Sequence, residues 1–379
     1  MTREPRTNPI VPSYGENSLA DLTASILASL TGDPAGNVLG LPPSARACLL
    51  IVDGLGWELL RDHQAAAPFL SELAFNSRPL TCGFPSTTVT SLTSLGTGLP
   101  PGEHGMLGYQ VAIPGEHRLL NGLHWPQDVD PRAWQPKPTL FERAAEYGVT
   151  PVHVGPGTFR DSGLTKAALR GAIYRSANSM GTLAAEAVAA LSEYRRSLVA
   201  VYHGDLDVAG HGFGTNSAAW AFQLTHVDKL AEQIAGALPP DTALYVTADH
   251  GMVNVGPDDR IDVDAVPELR AGVALLGGEP RARHVYAEPG AARDVLATWR
   301  GILGDRAWVA SRDDAIKDGW FGSTGDAVSA RIGDVIAAAA GTTAIIASEA
   351  EPHESALFGM HGSLTSAEQL VPALTFASR

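Results

Sequence analysis

The sequence predicts an α/β fold: a mostly parallel sheet sandwiched by helices, with a small α+β insertion. Three observations lead there. Apolar or β-favouring runs of strand length occur at residues 46–52, 197–203 and 243–247, each bounded by polar or glycine-rich sequence. Segments of helical length lie between such runs, and repeated strand-to-helix alternation is the pattern of a parallel sheet covered on both faces. Each run also stops abruptly in ligand-type residues: Asp53-Gly54, the stretch from Gly204 to Gly214, and Asp249-His250-Gly251. Open α/β sheets hold their ligands at the carboxyl ends of strands. A tandem Asp-His is seldom left at the end of a core strand without a strong partner.

The elements follow in chain order. Residues 1–44 contain a helix around Ser18 to Leu30 and then a Gly/Pro-rich connection through Leu41-Pro42-Pro43. The strand ending at Asp53 feeds a helix from about Trp57 to Phe75, broken at Pro68, because proline lacks an N–H and clashes with the preceding turn. Residues 84–98, rich in hydroxyls and poor in charge, read as a loop entering a hydroxyl-capped helix. Residues 99–138 read as a long shaped loop over a site, with Tyr109, Trp125 and Trp134 expected as a local mini-core and stacking on a base as the alternative. A helix at 139–147, a strand at 150–154, a helix at 180–194 and a helix at 217–237 continue the alternation up to Asp249. Between His250 and His361 the segments 272–276, 283–287, 291–303 and 307–310 read as a compact βαβ-type insertion, a cap at about 262–331. The core then comprises 45–261 and 332–379, with a last strand at 343–347. Arg283 and His284 are expected on a solvated edge of the insertion, with contact to a substrate phosphate as the alternative.

Composition restricts the function. The chain of 379 residues carries 27 Lys plus Arg against 41 Asp plus Glu, a formal charge of −14, with no basic run. Binding to a nucleic-acid duplex or an anionic membrane is disfavoured, although a local metal charge can still attract a phosphate. Two cysteines, Cys48 and Cys82, are too few for a disulfide framework and suit a reducing compartment. The start lacks the apolar core of a signal peptide, and no apolar run reaches the roughly 18 residues of a membrane span. A cytoplasmic protein is expected; oligomeric state is not encoded in these features.

Together the strand-end turns offer Asp53, Asp207, His211, Asp249, His250 and His361. Three carboxylates and three imidazoles suit two ions of the zinc type, with Mn²⁺ or Fe as alternatives. Calcium or magnesium would draw on more oxygen and fewer imidazoles. Two ions about 4 Å apart can hold a phosphoryl group between an attacking and a leaving oxygen. The Ser86-Thr87-Thr88 run at a helix start supplies a hydroxyl nucleophile, and His104 and His203 are candidates to orient ligands.

Asp53-Gly54, Phe84-Pro85-Ser86-Thr87-Thr88, Thr97-Gly98-Leu99, His104-Gly105, Asp207 with His211, Asp249-His250-Gly251 and His361-Gly362 follow one another in that order. This ordered set resembles the alkaline phosphatase superfamily, and within it the nucleotide pyrophosphatase/phosphodiesterase branch, over about 45–257 and 332–365. The resemblance implies an alkaline phosphatase-like core, one zinc held by Asp207, His211 and His361, and a second held by Asp53, Asp249, His250 and the nucleophile oxygen. The family nucleophile is the second threonine of Phe-Pro-Thr-Lys-Thr, which falls on Thr88. The motif lysine is Thr87 here, which leaves Thr87 as the neighbouring alternative, and Tyr109 stands where the family has an asparagine. The implied activity is hydrolysis of a phosphodiester or phosphoanhydride bond in a small phosphorylated substrate, nucleotides included, through a phosphothreonine intermediate. Two other readings stand beside it: a phosphomonoesterase of the same superfamily, and a catalytically silent, metal-stabilised binding protein. A sulfatase is disfavoured because the Cys82 segment lacks that branch's arginine and spacing, and a Ser/His/Asp hydrolase because no Gly-x-Ser-x-Gly turn is found.

Overall fold

A computed structural model describes residues 8–378; the reading of the extreme amino terminus as lacking a signal segment falls largely on residues outside them. Two main sheets are built from β1 (Arg46–Val52), β2 (Thr150–Gly155), β3 (Ile173–Ser176), β4 (Ser197–His203), β5 (Thr242–Thr247), β6 (Val273–Glu279), β7 (Ala282–Ala287), β8 (Ala307–Ser311), β9 (Val335–Ala339) and β10 (Ala373–Ala377). The helices that matter here are α1 (Leu19–Thr31), α2 (Thr88–Thr97), α3 (Met180–Glu193), α4 (Asp205–Phe213), α5 (Ala218–Gly236) and α6 (Ala292–Leu303).

The central sheet runs β10-β5-β1-β4-β2-β3, parallel throughout except for β10, which pairs antiparallel with β5. β1 sits in the middle because six of its seven residues are apolar and all six are buried. Both faces of such a strand must be covered, and α1, α3 and α5 contribute buried apolar residues to the same core. Register does the rest. Ile51 is level with Tyr202 on one side and with Thr247 on the other, so the chain leaves β1, β4 and β5 at one height. Asp53 and Asp249, each two residues farther on, therefore emerge side by side.

The second sheet is four-stranded and antiparallel, in the order β6-β7-β9-β8, with α6 burying Val295, Trp299 and Leu303 against it. Several expectations need correcting. β7, α6 and β8 form a split βαβ unit, the two strands parallel with β9 inserted between them, and β9, assigned by sequence to the core beyond residue 332, is thus an inner strand of this second sheet. The run at 343–347 is no core strand: Ala344–Ile346 pairs only with Arg260–Asp262, as a separate two-stranded sheet. Arg283 and His284 are fully buried rather than on a solvated edge. Two strands of the central sheet, β3 and β10, have no counterpart in the sequence reading; both are short, and both are buried at most in part. The 57–75 helix is divided as its proline requires, Pro68 taking the first position of Pro68–Ala74 after Trp57–Asp62.

Candidate active site

Asp53 follows β1 directly, its N–H donating to the His203 carbonyl at 3.0 Å. Gly54 turns the chain away with φ +75°, and a Cβ there would lie 3.2 Å from the Asp207 Cα. Only glycine allows α4 to come that close. Sequence placed Asp207 and His211 on a polar turn; in the structure they occupy α4, four residues apart and so on one face. His250 follows Asp249 after β5. His361 follows Gly359–Met360, a two-residue strand paired antiparallel with Val253–Asn254 just beyond His250. Thr88 opens α2, and a cis peptide joins Phe84 to Pro85 shortly before it.

All six predicted metal-type residues and Thr88 converge. The imidazoles are oriented by backbone carbonyls: His211 Nδ1 on Gly359 at 2.7 Å, His250 Nδ1 on Gly251 at 3.0 Å and His361 Nδ1 on Ser86 at 2.9 Å. A carbonyl only accepts, so each Nδ1 donates, and the neutral ring then presents an Nε2 lone pair to the centre. Around those Nε2 atoms lie Asp53 Oδ1 and Asp249 Oδ2, 3.3 and 3.5 Å from His250, and Asp207 Oδ2 and Oδ1, 3.2 Å from His211 and 3.9 Å from His361. The His250 and His361 rings stack at 3.6 Å. Asp53 Oδ1, Asp207 Oδ1 and Asp249 Oδ2 are buried without a hydrogen-bond partner.

Orphaned carboxylate oxygens facing nitrogen lone pairs are unfavourable unless a cation lies between them. The proton does not serve everywhere. Burial, then the Asp249 and Asp207 carboxylates, push Asp53 well above the usual carboxylate range. Burial, then neighbouring His250, push His361 well below the usual imidazole range. Burial also opposes charge on His211, but the Asp207 carboxylate outweighs it and lifts His211 to about 9. The mixed carboxylate and imidazole set thus fits divalent ions of borderline softness. Donor atoms of Asp207, His211 and His361 lie within 4.8 Å of one another, as do those of Asp53, Asp207 and His250, with Asp207 common to both groups. Asp249 fixes one oxygen on the Gly54 and His250 N–H groups, both at 3.1 Å, and leaves the other free.

Thr88 Oγ1 is 3.3 Å from His250 Nε2. The neighbouring Thr87 hydroxyl instead donates to Glu279 Oε2 at 3.0 Å. Two residues of the site escaped the sequence reading. Tyr202, the penultimate residue of β4, donates its hydroxyl to Asp53 Oδ2. Glu279 arrives from β6, and burial pushes its carboxyl up to about 8. A lone acid closing the apolar run at 273–279 was the available signal. Other candidates lie elsewhere. His104 is held by Ser94 and by the Met106 N–H, at 3.0 and 3.1 Å, and His203 meets Gln223 at 3.0 Å. Tyr109 donates to Glu354 at 3.2 Å. Trp134 is buried, with the Arg331 guanidinium 3.9 Å over its ring.

A family model described as type I phosphodiesterase / nucleotide pyrophosphatase matches residues 47–364. Phosphopentomutases of Anaeromyxobacter sp. (strain K) and Anaeromyxobacter dehalogenans (strain 2CP-1 / ATCC BAA-258) are 31% identical over 172 residues, 45% of this chain and 42% of each relative. The match thus spans less than half the length of those relatives. Among solved structures, murine ectonucleotide pyrophosphatase / phosphodiesterase 5, an inactive form in complex with AMP, superposes with a TM-score of 0.70 at 17% identity, covering 87% of each chain. Phosphonoacetate hydrolase from Sinorhizobium meliloti 1021, in complex with phosphonoformate, gives 0.68 at 20% identity, over 88% of this chain and 90% of that one. At these identities the likeness is one of fold, and it is the alkaline phosphatase-like fold the motifs implied.

Proposed function

This chain belongs to the type I phosphodiesterase / nucleotide pyrophosphatase family, and from that premise we propose that it hydrolyses a phosphodiester or phosphoanhydride bond in a small phosphorylated substrate, nucleotides included. Asp207, His211 and His361 would hold one metal ion and Asp53, Asp249 and His250 the other, zinc in the first instance, with Mn²⁺ or Fe as alternatives. When bound, the ions supply charge that lowers the pKa of a nearby hydroxyl and offsets the phosphoryl oxygens. One observation carries the reading: Thr88 Oγ1 faces His250 Nε2 at 3.3 Å, beside three unpartnered carboxylate oxygens.

Thr88 is the nucleophile in this reading, and Thr87 is not, because its hydroxyl is already committed to Glu279. The Thr88 oxygen bonds to phosphorus in line as the bond to the leaving oxygen breaks; water then cleaves the phosphothreonine and frees the threonine. N–H groups at the start of α2 stabilise the phosphoryl oxygens. His211, His250 and His361 stay oriented through their carbonyl bonds, and Tyr202 orients Asp53. The inserted segment, proposed from sequence at about 262–331, borders the site and shapes leaving-group selection. Cys48 and Cys82, both free and buried, support a cytoplasmic setting. No helix among the described residues is long and apolar enough to cross a membrane.

The test is a comparison of bis(p-nitrophenyl) phosphate with p-nitrophenyl phosphate, together with elemental analysis of the purified protein. Diester turnover exceeding monoester turnover, with two equivalents of transition metal, is expected. A large monoester preference would turn the assignment to a phosphomonoesterase, and full metal occupancy with neither activity would leave a binding protein.

A further inference from the structure

We propose that Glu279, at the end of β6 in the second sheet, is a positioning residue for the catalytic start of α2: by taking the Thr87 hydroxyl it keeps that side chain off the first turn and fixes the backbone that presents Thr88. The proposal rests on Thr88 being the nucleophile.

Thr87 is the N-cap of α2, in the extended conformation a cap requires (φ −145°, ψ 152°). Threonine at this position ordinarily accepts a hydrogen bond from the second or third N–H of the helix. Here it makes no such bond. Its Oγ1 points to Glu279 Oε2 at 3.0 Å instead. A ten-residue helix whose cap hydroxyl is drawn aside keeps its first N–H groups for an anionic ligand, and they lie at the residue that carries the nucleophile.

Glu279 is itself firmly held. The turn after it contains Arg281, whose Nε donates to Glu368 Oε1 at 3.0 Å with both side chains fully buried. Glu368 Oε1 also accepts from the Ser363 N–H at 2.9 Å, and the Pro280 carbonyl accepts from the Ile345 N–H at 2.7 Å. On its other side Glu279 leans on the His361 loop. A Cβ on Gly362, where φ is +134°, would lie 3.0 to 3.2 Å from Glu279 Cγ, Cδ and Oε1. Ser86 then laces the two loops together, its N–H donating to the Gly362 carbonyl at 3.0 Å and its hydroxyl to the Ser363 carbonyl at 2.8 Å. One carboxyl from the second sheet thus braces both the nucleophile loop and the His361 loop, and its Oε1 stays buried and unpartnered beside them. A residue that only filled space would not require a carboxyl, nor divert the cap hydroxyl.

The experiment uses the full-length, metal-loaded protein with bis(p-nitrophenyl) phosphate. Glu279→Ala and Thr87→Val are each expected to lower kcat about 10- to 100-fold, with KM within about threefold and metal content unchanged. The double variant should be no slower than the worse single one, because both remove the same bond. Glu279→Gln keeps an acceptor for Thr87 and should recover activity to within about threefold of wild type. Full kcat in Glu279→Ala, multiplicative losses in the double variant, or Glu279→Gln as slow as Glu279→Ala would each overturn the proposal. Should wild type turn over no phosphate ester, the nucleophile assignment fails separately. A double-mutant cycle on thermal unfolding then reads the bond alone: clear Glu279–Thr87 coupling upholds the brace, and none removes it.

Discussion

The carboxyl edge of the central sheet and the tip of the second sheet reach the same few ångströms around Thr88 by different routes. At the edge, register does the placing: β1, β4 and β5 end level, and Asp53, Asp249 and His250 come out as neighbours without long-range adjustment. At the tip, Glu279 arrives from a separate layer and is held by the buried Arg281–Glu368 pair. The edge carries groups that are electrostatically unfinished, three unpartnered carboxylate oxygens among imidazole lone pairs. The tip carries one carboxyl, with one oxygen taken by the Thr87 hydroxyl and the other buried and unpartnered. On the proposed reading, chemistry belongs to the first region and alignment to the second.

That division is broken most directly at Thr88. On the proposed assignment, Thr88→Ala should reduce turnover at least about 1,000-fold, since the neighbouring Thr87 hydroxyl is committed to Glu279 and only binding and charge stabilisation remain. Metal content, measured by elemental analysis, should stay at the wild-type level. If Thr88→Ala turns over normally, the chemistry does not start at this edge.

The next effect is smaller and distinguishes the regions by sign. With metal removed by a chelator, Asp53→Asn should raise the thermal midpoint by relieving a carboxyl that burial and two other carboxylates already disfavour. With metal restored it should lower the midpoint relative to wild type. Ligand binding at 100 to 1,000 times Kd stabilises by about 3 to 4 kcal/mol, and a lost ligand forfeits part of that. Glu279→Gln, at the tip, should shift chelated and loaded protein in the same direction. Matching behaviour at the two positions, seen by calorimetry, would erase the distinction.

The same contrast explains what could be read beforehand. Asp53 and Asp249-His250 were legible as candidates because an apolar run stops at a ligand, whereas the hydroxyl cluster at a helix start marked Ser86, Thr87 and Thr88 alike and only the family resemblance singled out Thr88. Asp207 and His211 were found by spacing, although the segment is helix rather than turn. Glu279 and Tyr202 were missed because the contacts that bring them to the site are purely tertiary. Nothing near residue 279 in sequence announces that it meets Thr87, 192 positions away. Tyr202 reads as one more strand aromatic until its hydroxyl is seen on Asp53. β9 was left out of the second sheet for a related reason: it pairs with β7 and β8 across intervals that alternation rules do not span. Arg283, expected on a solvated strand edge, is buried with Glu351 2.7 Å away.

The mildest effect compares the two sheets as folded bodies. Burial pushes His153, on β2, and His284, on β7, each down to about 4. Above pH 6.5 both imidazoles are neutral whether folded or unfolded, and neither affects stability. Below 6.5 the unfolded chain takes up the protons and the folded chain does not, so stability falls until the folded groups titrate near 4. The slope is about 1.4 kcal/mol per pH unit for each histidine, about 3 kcal/mol apiece over the window. His153→Gln and His284→Gln should each remove one proton from the pH dependence of unfolding between 6.5 and 4, beyond whatever each change costs in packing. If both flatten a single transition equally, the two sheets unfold as one unit and the tip stays as fixed as the edge. If His284→Gln acts only on a separate, earlier transition, the second sheet opens alone and carries Glu279 away from Thr87 while the central sheet still stands.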